Sequence, residues 1–232
     1  KQALNQDAFY GVRIEASKAL RSIHTDEALE ALLGSTKQSD ARVRRQVASD
    51  LGGFYRESAY DSARQSIDSE KNPDILSTSI RSLAGYAKPE VHDVLLKNLN
   101  SHSYRNELAD AAINAAREQD DPAYLAPLLE TLAKRETEFT SRGFAQGLSA
   151  LAYLARNEEN KDNVREFLIR YVNSRKRTVQ QASLSALGTL GDPKAISVLQ
   201  KYTTASKESR ERAAAEKALA ELRAARKPVD DF

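Results

Sequence analysis

The sequence predicts an all-α solenoid, a stack of about six helical hairpins, and two observations carry this prediction. The chain of 232 residues contains only 9 Gly and 6 Pro, so few residues interrupt helices. One helical pattern also recurs six times: an apolar residue, usually small residues four and seven positions later, and usually a Leu eight positions later. Residues at these spacings share one helix face, where small side chains let a neighbouring helix approach closely.

The six copies of this pattern place the repeat helices along the chain. The copies begin at Val12, Val43, Ile75, Leu108, Gly143 and Val179. We therefore predict repeat helices near residues 8–23, 40–53, 73–86, 104–118, 140–156 and 177–190. In the first of them, the pattern makes Val12, Ala16, Ala19 and Leu20 the core stripe.

More apolar segments lie between the repeat helices, as in residues 125–132, and each unit is therefore predicted to be a helical hairpin. Residues 57–67 fill the same place with few apolar members. These members are Ala59, Tyr60, Ala63 and Ile67. We expect this helix to be the most weakly packed, because it has the least apolar area to bury.

The last segment predicts a charged C-terminal capping helix over residues 206–226. Its charged residues form the pairs Glu208/Arg212, Arg212/Glu216 and Lys217/Glu221, and its apolar stripe is Ala215, Ala218, Leu219 and Leu222. A helix that is apolar on one narrow face suits the end of a repeat array. We therefore predict one solenoid domain over residues 1–232. No such cap precedes the first helix, and the chain lacks an initiator Met, so we expect a piece of a longer protein.

Proline and glycine mark the expected helix ends. Asn72-Pro73, Asp121-Pro122 and Asp192-Pro193 combine a capping side chain with a Pro suited to the first helical turn. Gly34, Gly52 and Gly191 fall where helices should stop.

Two segments resemble HEAT repeats, a family of helical hairpins. These are residues 39–52 (SDARVRRQVASDLG) and residues 190–196 (LGDPKAI). The signatures of ankyrin and tetratricopeptide repeats, whose periods are similar, are absent. The resemblance implies that the Asp-x-x-Val-Arg helix, which here begins with Asp40 and includes Arg44, is the second helix of its hairpin and lines the concave side.

The opening segment, residues 7–20 (DAFYGVRIEASKAL), has a narrower resemblance. It is similar to the start of the C-terminal HEAT-like domain of bacterial zinc aminopeptidases of the aminopeptidase N type. The resemblance implies a non-catalytic domain that packs on a catalytic domain and shapes access to its active site. No His-Glu-x-x-His motif occurs here, so we assign no catalytic, cofactor-binding or metal-binding residue, and we expect zinc only in a catalytic domain absent from this chain.

The residue types needed for catalysis are scarce. The chain has no Cys, and its three His residues, His24, His92 and His102, are not spaced as metal ligands. We interpret all three as helix-end or surface residues. No apolar run reaches the roughly 18–20 residues of a membrane-spanning helix, and we expect a soluble protein, either cytoplasmic or periplasmic or secreted.

Basic residues gather where the repeat helices begin, and they define a candidate concave basic edge. Its members are Arg13, Arg42, Arg44, Arg45, Arg105, Arg142 and Arg177. Such an edge can hold nucleic acid. The net charge of only +2, the acidic residues in the same segments and the absence of Trp disfavour this use.

Tyr10 and Ile14 form a candidate interface on one flank of the first repeat helix. They lie outside the predicted core stripe, so we expect them to be exposed and to dock the partner. The alternative is that residues 1–8 fold back and cover them. Three functions follow: a domain packed on the catalytic domain of an aminopeptidase-like enzyme, a free-standing scaffold for another protein, or a nucleic-acid binder.

Overall fold

A computed structural model describes residues 1–205 and 209–224. This part of the chain contains α-helices and short 3₁₀ turns and no strand, which confirms the predicted all-α solenoid. The helices are α1 (Gln2–Gln6), α2 (Tyr10–Ile23), α3 (Asp26–Leu33), α4 (Ala41–Leu51), α5 (Glu57–Ser69), α6 (Pro73–Ser82), α7 (Pro89–Leu99), α8 (Glu107–Gln119), α9 (Leu125–Lys134), α10 (Ser141–Leu154), α11 (Asp162–Ile169), α12 (Arg177–Leu190), α13 (Ile196–Ala205) and α14 (Ser209–Ala224).

The repeat helices α2, α4, α6, α8, α10 and α12 lie where the six-fold pattern places them. Two of them are extended by 3₁₀ turns, at Leu83–Gly85 and Tyr104–Asn106, which account for part of the difference from the predicted bounds. The helices α3, α5, α7, α9 and α11 each precede a repeat helix and complete its hairpin.

The helices fall into two compact units, Lys1–Gln119 and Asp120–Phe232. In the first unit the repeat helices α2, α4, α6 and α8 pack side by side in chain order. In the second unit α12 packs between α10 and α14, and α13 packs on α14. Each unit is defined by the contacts within it. The prediction of a single domain over residues 1–232 therefore stays a prediction.

The helix ends follow the predicted capping residues. The side chains of Asn72, Asp121 and Asp192 accept hydrogen bonds from the backbone two residues later, at 3.0, 2.8 and 2.9 Å. Gly191 ends α12 in the left-handed conformation, at φ 70°.

The terminal helix α14 buries the predicted apolar stripe. Ala215, Ala218, Leu219 and Leu222 are at most 5% exposed. A Cβ atom on Gly188 of α12 would lie 2.7 Å from the Cα of Ala218, so only a glycine permits this close approach. The charged pair Lys217 and Glu221 is 3.9 Å apart, whereas the pair expected at Glu208 lies outside the described residues.

The first repeat helix corrects the sequence interpretation. Val12 is 41% exposed and Ala19 is exposed, although both belong to the predicted core stripe. Tyr10 and Ile14, which we expected to be exposed, are half-buried and pack against the core cluster. The reason is that α1 folds back onto α2 and places the fully buried Leu4 in that cluster. The alternative, in which the first residues cover this flank, is what the structure shows.

Candidate functional site

The helix α2 presents an uncovered apolar stripe to solvent. Phe9, Val12 and Ile23 are 60, 41 and 60% exposed. Val12, Ala19 and Ile23 are separated by seven and four residues, so these side chains lie along one side of the helix, and Phe9 is the N-cap residue that precedes its first turn. We call Phe9, Val12, Ala19 and Ile23 the α2 stripe.

Most of the equivalent repeat positions in later helices are buried, the half-buried Leu108 and Gln119 being the exceptions. The counterparts of Val12 include Val43, Ile75 and Val179, at 0, 2 and 2% exposure. The counterparts of Ile23, eleven residues further along each repeat, include Phe54, Tyr86, Leu154 and Leu190, at 5, 8, 4 and 0% exposure. The α2 stripe is therefore left exposed at repeat positions that most other hairpins bury.

The other side of α2 is fixed to α4 by specific contacts. The guanidinium of Arg42 lies 3.4 Å from the ring centroid of Tyr10, and it also pairs with Asp40 at 2.6 Å. The hydrogen bond from Arg42 lowers the pKa of Asp40 to about 2. Ser17 donates a buried hydrogen bond of 2.6 Å to Asp50. Because of these contacts, Tyr10 belongs to the internal interface between α2 and α4.

Several residues of the basic edge already bind protein groups in the first unit. Arg13 donates to the side chain of Gln38 at 2.9 Å, and Arg42 is held by Asp40. Arg44 pairs with Glu70 at 3.0 Å. These contacts occupy some of the guanidinium N–H groups that could otherwise donate hydrogen bonds to a phosphate group.

The remaining basic residues point to solvent within their own units. Arg45 and Arg105 are exposed in the first unit, and Arg142 and Arg177 are exposed in the second. Arg105 adopts a left-handed backbone conformation, at φ 54°, and its guanidinium lies 5.0 Å from the ring centroid of Tyr104. The basic edge as a binding surface stays a prediction.

The three histidines lie apart from one another along the chain. His24 terminates α2, where its ring stacks on Phe54 at 4.4 Å, His92 lies on α7, and His102 lies in an exposed turn. Within residues 1–205 and 209–224, no group of three or more His, Cys, Asp or Glu side chains could hold a metal ion.

A cavity of about 250 Å³ lies among α4, α5 and α6, and the sequence interpretation did not name it. Leu51, Ala59, Ala63 and Ile75 line its inner part and are at most 9% exposed. The available signal was the scarcity of large apolar residues in residues 57–67. A helix of Ala and Ser leaves space that Leu or Val fills in the other hairpins.

The fold and these surfaces define a helical-repeat protein. A family model for HEAT repeats matches residues 1–84 and 145–220, more than half of the chain. The chain belongs to the HEAT-repeat family. No helix within the described residues is both long and apolar enough to cross a membrane.

Other comparisons add little to this assignment. Among curated protein sequences, no relative matches the chain. A solved structure of human deoxyhypusine hydroxylase in complex with glycerol matches with 17% identity and a TM-score of 0.45, over 96% of this chain and 94% of that chain. A TM-score this low carries no argument about function. The family match is to HEAT repeats in general and does not extend to the aminopeptidase domain suggested by residues 7–20.

Proposed function

We propose that this chain is a protein-interaction domain and that the α2 stripe binds a partner protein. One observation carries the proposal: Val12 and Ile23 are 41 and 60% exposed, whereas their repeat counterparts Val43 and Phe54 are 0 and 5% exposed. Exposing apolar side chains in this way costs stability that a bound partner recovers by burying them.

The chemistry of the partner follows from what covers the equivalent face in the next hairpin. Val43 and Phe54 share one core cluster with Leu29 and Leu32 of α3. An α-helix with an aliphatic face of this kind fits the α2 stripe. Helix-in-groove recognition of such a face uses anchors spaced by three and four residues.

Site-directed crosslinking and substitution test this proposal. A photoreactive amino acid at Val12 should crosslink to a partner from cells of the source organism, and the crosslinked protein, once purified, should bind the chain in calorimetry. The double variant Val12→Glu/Ile23→Glu should weaken that binding about 100-fold, because two carboxylates enter an apolar contact. Tyr104→Glu is the matched control, since Tyr104 is 75% exposed in the 3₁₀ turn before α8. Equal loss with Tyr104→Glu would contradict a role for the α2 stripe.

A narrower candidate is that the partner is the catalytic domain of a zinc aminopeptidase. The observation that favours it is position: Phe9, Val12 and Ala19 all lie within residues 7–20, the segment that resembles the start of the C-terminal domain of aminopeptidase N-type enzymes. In that case the chain shapes access to the active site, and zinc belongs to the catalytic domain alone.

Mixing the chain with a catalytic domain of this type, produced separately, distinguishes the narrower candidate from the broader one. We expect a complex on size-exclusion chromatography and a changed KM for peptide substrates, both removed by Val12→Glu/Ile23→Glu. The chain by itself should hydrolyse no aminoacyl chromogenic substrate. If no complex forms while the crosslinked partner still binds, the aminopeptidase candidate is wrong and the broader proposal stands.

A further inference from the structure

The cavity among α4, α5 and α6 combines an apolar inner part with a charged rim. Its volume of about 250 Å³ exceeds the roughly 150 Å³ of an apolar protein cavity known to bind benzene. Leu51 and Ile75 are 3 and 2% exposed at the inner end, whereas Lys37 is exposed at the rim. An amphipathic space of this size suits a small molecule with an apolar body and one polar head.

The acidic residue of the rim is already hydrogen-bonded to protein donors. Glu70 accepts from Arg44 with one carboxylate oxygen at 3.0 Å, and from the backbone N–H groups of Lys71 and Asn72 with the other, at 2.9 and 3.0 Å. Burial raises the pKa of Glu70, but these hydrogen bonds outweigh it and hold the pKa below its ordinary value. Glu70 therefore stays ionised and occupied by protein donors.

The basic residues of the rim keep donors available. Arg44 uses Nε for Glu70 and Nη1 for the carbonyl groups of Gln38 and Ser39, at 2.9 and 3.0 Å, while its Nη2 makes no hydrogen bond within the described residues. Lys37 is exposed at the rim, and its Nζ likewise has no partner in that part of the chain. Two cations and one carboxylate leave the rim with one excess positive charge. The unused polar groups are hydrogen-bond donors, so they favour a ligand that carries an anionic acceptor.

We infer that this cavity binds a small aliphatic carboxylate, with its apolar body against Leu51, Ala63 and Ile75 and its carboxylate at Lys37 and Arg44. The chemistry is shared by a short free fatty acid and by a peptide C-terminus that ends in an aliphatic residue. This site uses α4, α5 and α6 and is independent of the proposed function of the α2 stripe.

Titration with hexanoate, followed by methyl NMR of the full chain, tests the site without any substitution. The methyl signals of Leu51 and Ile75 should shift with a dissociation constant of about 1 mM, whereas those of Leu128 in the second unit should not. Hexanamide, which has the same apolar body without the charge, should bind about tenfold more weakly. Unshifted signals at Leu51 and Ile75, or equal binding of hexanamide, would overturn the inference.

Substitutions with matched controls sharpen the test. Ala63→Leu should fill the cavity and abolish hexanoate binding, while Ala126→Leu on the exposed side of α9 should leave it unchanged. Lys37→Gln should weaken binding about threefold, and Lys97→Gln, at an exposed site on α7, should not. Unchanged binding by a folded Ala63→Leu variant would place the ligand elsewhere and refute the site.

A further titration separates the two sources of the carboxylate. N-acetyl-alanyl-leucine presents a peptide C-terminus, and its affinity is compared with that of hexanoate. Tighter binding of the dipeptide, lost when its carboxylate is amidated, supports the site with a peptide source. Tighter binding of hexanoate supports it with a free acid.

Discussion

The repeat helices α2 and α12 have the same pattern and opposite surroundings. Both have 14 residues, yet Val12 and Ile23 of α2 are 41 and 60% exposed while Val179 and Leu190 of α12 are 2 and 0% exposed. The helices α10, α11 and α14 pack on α12, whereas α2 packs on α3, α4 and the short α1, which leave Val12 and Ile23 uncovered. The pattern thus marks which face of a helix is apolar, and the neighbouring helices decide whether that face is buried.

The largest expected effect comes from placing a carboxylate at the two equivalent positions. Val179→Asp should lower the free energy of unfolding by about 4 kcal/mol, because it buries an unpaired charge, whereas Val12→Asp should cost less than about 1 kcal/mol. Urea unfolding monitored by circular dichroism measures both. Similar losses for the two variants would contradict the contrast between the helices.

A second substitution tests the side of α2 that faces α4. Ile14→Arg should cost about 2–3 kcal/mol, since Ile14 is half-buried against the core cluster. Val12→Arg on the exposed side is the matched control and should change the melting temperature little. A stable Ile14→Arg variant would restore the expectation that Ile14 is an exposed docking residue.

In α8, Asp110 occupies the repeat position that Ile14 occupies in α2. The effect of Asp110 on the free energy of unfolding depends on pH. Burial, with a contribution from Glu107, raises the pKa of Asp110 from 3.8 to about 6 against the opposing charge of Arg81. A raised pKa means that stability is fully present below 3.8 and is lost as pH rises through about 6. Asp110→Asn should therefore add about 1–2 kcal/mol at pH 8, after allowance for partial exposure, and almost nothing near pH 4.

Thermal unfolding of the Asp110→Asn variant and the parent chain across this pH range measures the difference. Asp93→Asn, at an exposed site on α7, is the control and should show no such trend. A constant difference between pH 4 and pH 8 would show that Asp110 keeps an ordinary pKa.

The smallest expected effect concerns a face that is covered but poorly filled. Ala63→Leu should stabilise the first unit by about 1 kcal/mol, because an added aliphatic group enters the cavity, offset in part by lost side-chain freedom. Ala126→Leu should have almost no effect. Hydrogen exchange of α5 amides reports the local change, and slower exchange in Ala63→Leu is the expected result. Destabilisation by Ala63→Leu would mean that α5 cannot accommodate the larger side chain.

The periodic features of the fold were predictable from sequence. The repeat helices, the capping role of Asp121 and Asp192, and the buried stripe of α14 depend on residues within one helix or one turn. Such features need only local geometry, in which spacing fixes the face and a short polar side chain caps the free N–H groups.

The candidate sites were only partly predictable. The sequence located the first repeat helix as the place of an unusual apolar face, but it assigned exposure to Tyr10 and Ile14 in place of Val12 and Ile23. Which side chains of the first repeat helix are exposed depends on α1, whose five residues carry too weak a pattern to predict a helix. The cavity depended on three helices that meet around small side chains, and no spacing within α5 reports how closely α4 and α6 approach.

The sequence by itself determined that this chain is a helical-repeat protein, where each repeat helix lies and which residues can face a neighbour, because helix periodicity is a property of the chain alone. The tertiary structure decided which apolar faces are covered, which arginines are occupied by Gln38, Asp40 and Glu70, and where space remains beside Ala63. Burial and pairing depend on helices far apart in sequence, and their distances are set by packing.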